Sequence, residues 1–198
     1  MSEWCLPKET FDVMRDQNVV ISGSVALNVV EPGCVVPRDL DLYVPLGGVV
    51  DFDKFLTDLT DYVQVTKEDY TDLGALTDNY VAGHAWVQDT GMRTVVFYRH
   101  KTSGTVLNVI ESSHPVPTTT IFKFHSTFVM NYISWNGVIC AYPKMTADRV
   151  GLLNTKDREL TPRMKRCMIK YALRGFETLN PVVVRLATVI PFDSLSVP

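Results

Sequence analysis

Two aspartates two residues apart, Asp39 and Asp41, follow a Gly23-Ser24 pair after fourteen intervening residues. Side chains at i and i+2 leave a β-strand on one face, so the two carboxylates can converge on one hard cation such as Mg²⁺. Leu40 and Leu42 would anchor the opposite face in a core. A glycine between strand and helix lets the backbone approach a phosphate closely, and the next helix offers free N–H groups and a favourable dipole to an anion. Ser24 adds a hydroxyl donor. Together the two features can grip a nucleoside triphosphate, with the cation bridging phosphate oxygens during an in-line attack. Each feature alone has an ordinary explanation: a solvated strand end for Asp39 and Asp41, a turn and helix cap for Gly23-Ser24. Their pairing carries the signal.

The elements that must position these residues are readable from periodicity. Lys8 to Asp16 has helical spacing, Asn18 to Ser22 is a β-branched run ended by Gly23, and Ser24 to Val30 fits a short helix stopped by Glu31-Pro32-Gly33. Asp39 to Val44 alternates polar and apolar, the period of a half-buried strand, and Val50 to Leu59 is its helical partner. Lys67 to Asn79 reads as a solvated loop. Tyr80 to Gln88, Arg93 to His100 and Thr105 to Glu111 read as strands of an antiparallel meander, separated by the turn signals Asp89-Thr90-Gly91 and Thr102-Ser103-Gly104. Pro117 to Ile133 reads as a buried apolar helix, Val138 to Tyr142 as a strand, and Thr161 to Arg174 as a helix with Pro162 at its first position. The expected fold class is α/β of the α+β type, a mixed β-sheet with helices packed mainly on one face. Residues 1–180 form one domain in this reading, with a basic helix at about 161–174 and a tail over 181–198.

Hydrophobic-Gly-Ser, a short helix, then Asp-x-Asp on a strand resembles the nucleotidyltransferase fold of the DNA polymerase β-like superfamily. Ile21 to Pro45, Phe124 to Asn131 and Ala141 to Pro143 are similar to uncharacterised nucleotidyltransferase-like proteins of mushroom-forming fungi, and the resemblance runs with gaps from about Val19 to Phe176. It implies Gly23 and Ser24 on a triphosphate and Asp39 and Asp41 on one or two Mg²⁺ (or Mn²⁺) ions. It also implies a third carboxylate on a later strand, here Thr105 to Glu111. The best-aligned position is Asn108, which can coordinate through an amide oxygen but cannot act as a base. Glu111 is the alternative catalytic candidate, although three residues on it faces the other side of a regular strand. The implied function is binding of a nucleoside triphosphate with Mg²⁺ and transfer of a nucleotidyl group to a hydroxyl acceptor. The alternative is a degenerate pseudoenzyme that binds a ligand, RNA or protein without chemistry.

Composition bounds these readings. The chain has 198 residues, 46% of them hydrophobic and 21% charged, an ordinary globular balance. A net charge of −3 argues against a general nucleic-acid-coating protein. That charge is unevenly spread: Lys144 to Arg174 holds nine basic and three acidic residues, a net +6, which leaves −9 for the remainder. Arg163, Arg166, Lys170 and Arg174 recur along one helical face, while Met164, Cys167, Met168 and Tyr171 share another. The basic face suits a triphosphate tail, an RNA acceptor or a small hydroxyl acceptor, and equally an ordinary solvated surface. Cys5, Cys34, Cys140 and Cys167 show no metal-ligand spacing and read as reduced structural thiols. His125 reads as a core histidine, and Trp86, Phe97 and Tyr98 as packing residues. With no apolar leader and no membrane-spanning run, the expectation is a cytoplasmic protein without a membrane partner.

Overall fold

The structure, a computed structural model, describes residues 1–66, 90–154, 160 and 162–180. A seven-stranded mixed sheet runs through it. Its strands are β1 (Val20–Ser22), β2 (Asp39–Val44), β3 (Tyr62–Val65), β4 (Met92–His100), β5 (Val106–Ser112), β6 (Asn131–Ser134) and β7 (Gly137–Cys140), in the order β3-β4-β5-β2-β1-β6-β7. Among the described residues only the β2–β5 pair is parallel within that sheet. Two further strands, β8 (Val150–Leu152) and β9 (Glu177–Leu179), pair in parallel beside it. The helices are α1 (Thr10–Asp16), α2 (Gly23–Val30), α3 (Val49–Leu59), the single turn α4 (Thr118–Ile121), α5 (Pro143–Ala147) and α6 (Pro162–Ala172). None is long and apolar enough to cross a membrane, among the described residues.

The alternation in Asp39-Leu40-Asp41-Leu42 becomes burial on one face. Leu40, Leu42 and Val44 join Leu107 and Val109 of β5, with Met14 of α1 and Phe52, Phe55 and Leu56 of α3 packed over them. Leu40, Leu42, Phe52, Leu56 and Leu107 are fully buried, and each contributes roughly 1.5–3 kcal/mol of transfer free energy. A second cluster joins Leu27 of α2, Cys34, Val35, Phe128, Tyr171 of α6 and Phe176. The C-terminal helix is therefore tied to the segment that links the Gly-Ser turn to Asp39. Arg149 strengthens that tie through Nε and Nη2, which donate to Glu31 Oε1 at 3.2 and 3.0 Å.

Tyr62, Tyr98 and Tyr171 are buried, and burial pushes each phenol pKa well above its usual value; at Tyr98 a 2.6 Å hydrogen bond to Asp53 adds to the rise. Unfolded phenols titrate near pH ~10, so above that pH the unfolded chain releases protons that the folded chain keeps, and stability falls as pH rises. The melting temperature is accordingly expected to drop between about pH 9 and about pH 11, less steeply in Tyr98→Phe. A melting temperature flat across that interval would contradict this assignment.

One expected element is replaced. Pro117 to Ile133 is not a helix: it contains α4, a 3-10 turn over Thr127–Val129 and the start of β6. Three consecutive threonines lower helix propensity, and polar side chains supply competing backbone partners. Thr120 Oγ1 donates to Gly91 O at 2.8 Å, Asn131 Nδ2 to Phe128 O at 2.7 Å, and Asn154 Nδ2 to the Phe122 and Phe124 carbonyls at 3.0 Å each. The Phe122, Phe124 and Phe128 carbonyls would otherwise serve an α-helical ladder. The neighbour of β4 opposite β5 is β3, a strand that periodicity does not announce. The expected loop at 67–79, the expected strand at 80–88 with Trp86, and the tail at 181–198 lie outside the described residues.

Candidate functional site

Strand register brings the Gly-Ser turn to the carboxylates. Antiparallel pairing of β1 and β2 sets Ser22 opposite Asp41, and parallel pairing of β2 and β5 sets Asp41 beside Asn108. Ser22 is fully buried, and its Oγ donates to Asn131 O at 2.6 Å, which pins the end of β1 to β6. Gly23 follows at φ +69°, and a Cβ built there would overlap Asp41 Oδ2 and lie 3.0 Å from Asp41 Cγ. Glycine is required here twice, by the left-handed backbone and by the close approach of a carboxylate. Ser24 lies in the first turn of α2, half-buried.

Asp39 and Asp41 share the face opposite Leu40 and Leu42, as alternation requires. Asn108 joins them: its Nδ2 donates to Asp39 Oδ2 at 2.9 Å and to Asp41 Oδ1 at 2.8 Å. The amide thus places two N–H dipoles between two carboxylates in a partly buried setting, where hydrogen bonds to charged acceptors are stronger than neutral ones. Asn108 is itself fully buried, and its Oδ1 has no hydrogen-bond partner.

Glu111 stays apart from this group. It lies three residues beyond Asn108, about 10 Å along the strand and on the other face. Its buried side chain accepts from the Gly47 N–H at 2.6 Å and from Arg93 Nη1 at 3.4 Å. Glu111 thereby ties the loop before α3 to the ends of β4 and β5. Glu111→Gln is expected to lower stability by about 1–2 kcal/mol, the loss of charge in a hydrogen-bonded acceptor. Denaturant titration measures that cost. Titration with Mg²⁺ and nucleotide should give an affinity within twofold of the parent; a tenfold loss would return Glu111 to the site.

Tyr171 is the neighbour that motif spacing does not reveal. It lies in the second core cluster, its ring centroid 5.5 Å from that of His125 and 5.1 Å from that of Phe128. Burial is the main cause of its raised phenol pKa; Arg174 opposes the rise, while Cys167, Asp41 and Asp39 add to it. Lys170 Nζ and the Arg174 guanidinium sit 5.7 and 5.2 Å from the Tyr171 ring centroid, so part of the basic face turns toward the ring, while Lys165 and Arg166 are exposed. His125 is half-buried and packs edge-on to Phe128 outside any helix, so it lies at the edge of that cluster rather than inside a buried helix. Phe97 and Tyr98 are buried packing residues.

Among the described residues no three His, Cys, Asp or Glu side chains converge as a metal-binding group. Mg²⁺ commonly uses one or two carboxylates and leaves its other positions to water and substrate phosphates. Two aspartates beside a buried amide with an unused oxygen fit that requirement, with a total charge of two rather than three.

No family model matches the chain, and no curated protein matches it. Among solved structures, a CCA-adding enzyme in complex with CTP superposes with a TM-score of 0.56 at 13% identity, covering 90% of this chain and 42% of that one. An apo CCA-adding enzyme gives a TM-score of 0.49 at 14% identity, covering 73% of this chain and 31% of that one. The chain spans less than half the length of these matched proteins. The mixed sheet, its helices and the likeness to the CTP complex give this chain a nucleotidyltransferase-like fold.

Proposed function

We propose that this chain binds a nucleoside triphosphate together with a divalent cation, Asp39 and Asp41 holding the cation and the Gly23-Ser24 turn holding phosphate. The observation that carries this reading is the register that packs Gly23 against Asp41, because it sets the N-terminus of α2 beside the carboxylate pair. N–H groups in the first turn of α2, with the Ser24 hydroxyl, would donate to phosphate oxygens. Magnesium or manganese, when bound, would offset the charge of the triphosphate against the two aspartates. The exposed Lys165 and Arg166 of α6 suit an anionic or hydroxyl-bearing acceptor, RNA included.

Transfer of the nucleotidyl group requires an acceptor hydroxyl to lose its proton. Asn108 stands where a carboxylate would take it, and an amide has no such capacity. The same position favours a second reading, a binding protein whose transfer chemistry is slow or lost. Calorimetric titration with ATP, GTP, CTP and UTP, in Mg²⁺ and then in chelator, tests the binding. Cation-dependent binding of at least one nucleotide, weakened tenfold or more in Asp41→Asn, is expected. Absence of such binding in the parent chain would remove the reading, and pyrophosphate release with candidate acceptors separates its two forms.

A further inference from the structure

Asn108 uses only one end of its amide. Its Nδ2 donates to both aspartates, while Oδ1 is buried among protein atoms with no donor. Buried carbonyl oxygens are nearly always satisfied, so an orphan beside a charged site calls for a physical explanation, a bound ion being one. The metal-free orientation follows from charge. Turning the amide over would set its oxygen against carboxylate oxygens, whereas the NH₂ end meets both with hydrogen bonds. A divalent cation between Asp39 and Asp41 reverses the preference: it repels the NH₂ hydrogens and attracts the amide oxygen, a normal ligand for hard cations.

We propose that Asn108 is a cation-responsive third ligand, its amide turning from donation to Asp39 and Asp41 in the metal-free chain to coordination through Oδ1 when Mg²⁺ or Mn²⁺ binds. This rests on the reading of Asp39 and Asp41 as cation ligands and adds a regulatory element to that site. In the metal-free chain the NH₂ group keeps the two carboxylates together, so their geometry is in place before the cation arrives. With two negative charges in place of three, the site takes one cation, more weakly than a three-carboxylate site would. Nucleotide and cation are therefore expected to bind together, the phosphates supplying the missing negative charge.

The test is side-chain amide NMR on the full ¹⁵N-labelled chain, titrated with Mg²⁺ alone and then with Mg²⁺ and a non-hydrolysable nucleotide. In the metal-free chain the Asn108 NH₂ protons should be shifted downfield and protected from exchange. On titration both features should be lost, with the same midpoint as shifts at the Gly23 and Ser24 backbone amides. If the backbone amides respond and the Asn108 pair keeps its shift and protection, the amide does not turn; this inference is then overturned while the cation reading stands. If no resonance responds to Mg²⁺ with or without nucleotide, the cation reading fails and takes this inference with it.

Discussion

Gly23→Ala is expected to destabilise the fold and to abolish cation-dependent nucleotide binding. A left-handed backbone costs a non-glycine residue about 1–2 kcal/mol, and forcing a methyl into filled space typically costs another 1–3 kcal/mol. The added Cβ would overlap Asp41 Oδ2, and Asp41 has little freedom to retreat, because its backbone is paired to Ser22 on one side and Asn108 on the other. The carboxylate must swing away and give up its 2.8 Å hydrogen bond from Asn108. A stability loss of about 2–5 kcal/mol in urea titration and a fall in nucleotide affinity of a hundredfold or more should result. Gly33→Ala is the control. Gly33 also has a left-handed backbone, at φ +79°, but a Cβ there meets nothing within 4 Å, so the cost should be only that of the backbone, about 1–2 kcal/mol, with binding unchanged. Equal effects in the two variants would mean that the contact with Asp41 has no bearing on the site.

Asn108→Asp has the second large effect, and its size depends on metal. In chelator it adds a third negative charge at a fully buried position within 3 Å of two others, and it removes the NH₂ group that joins them. An uncompensated buried charge costs about 3–5 kcal/mol. The folded site relieves this by binding a proton that the unfolded chain does not hold at the same pH, so the deficit should shrink as pH falls and grow as pH rises. Added Mg²⁺ should offset much of it: a cation at about a hundred times its Kd returns about 2.7 kcal/mol. Melting temperatures in chelator and in Mg²⁺ should therefore diverge far more in Asn108→Asp than in the parent. Pyrophosphate release in the presence of an acceptor should rise tenfold or more, since a positioned base contributes about a hundredfold or more to such steps. A variant as stable in chelator as the parent would show that position 108 lies outside the field of Asp39 and Asp41.

Both predictions turn on strand register, which explains what was legible in the sequence. Asp39 to Val44 could be read because its alternation reports the two faces of one strand, and both predicted bounds agree with β2. The strand, glycine turn and helix from Val20 to Val30 were legible for a similar reason, a β-branched run ending in a residue that only a special backbone demands. Whether the Gly23 turn meets Asp41 depends on how two strands slide past each other, a tertiary property without local signature. Asn108 was placed by resemblance, whereas its two hydrogen bonds and its unused oxygen emerge only when β5 pairs with β2. Pro117 to Ile133 misled because its apolar content is real, but the burial is achieved by a turn, a 3-10 segment and a strand held by threonine and asparagine side chains. Tyr171 was readable as part of an apolar helix face, and its place in the cluster of Leu27 and Phe128 was not, since it depends on α6 packing over Phe128.

The central claim is that Asp39, Asp41 and the Gly23-Ser24 turn hold one metal-bound triphosphate. A crystal of the chain grown with Mn²⁺ and a non-hydrolysable nucleotide, with data collected for manganese anomalous scattering, tests it directly. The account predicts one anomalous peak within ligand distance of both aspartates, about 2.0–2.1 Å by analogy with Mg²⁺, and phosphate oxygens against the first turn of α2. A nucleotide bound elsewhere, or manganese bound without contact to Asp39 and Asp41, would contradict it.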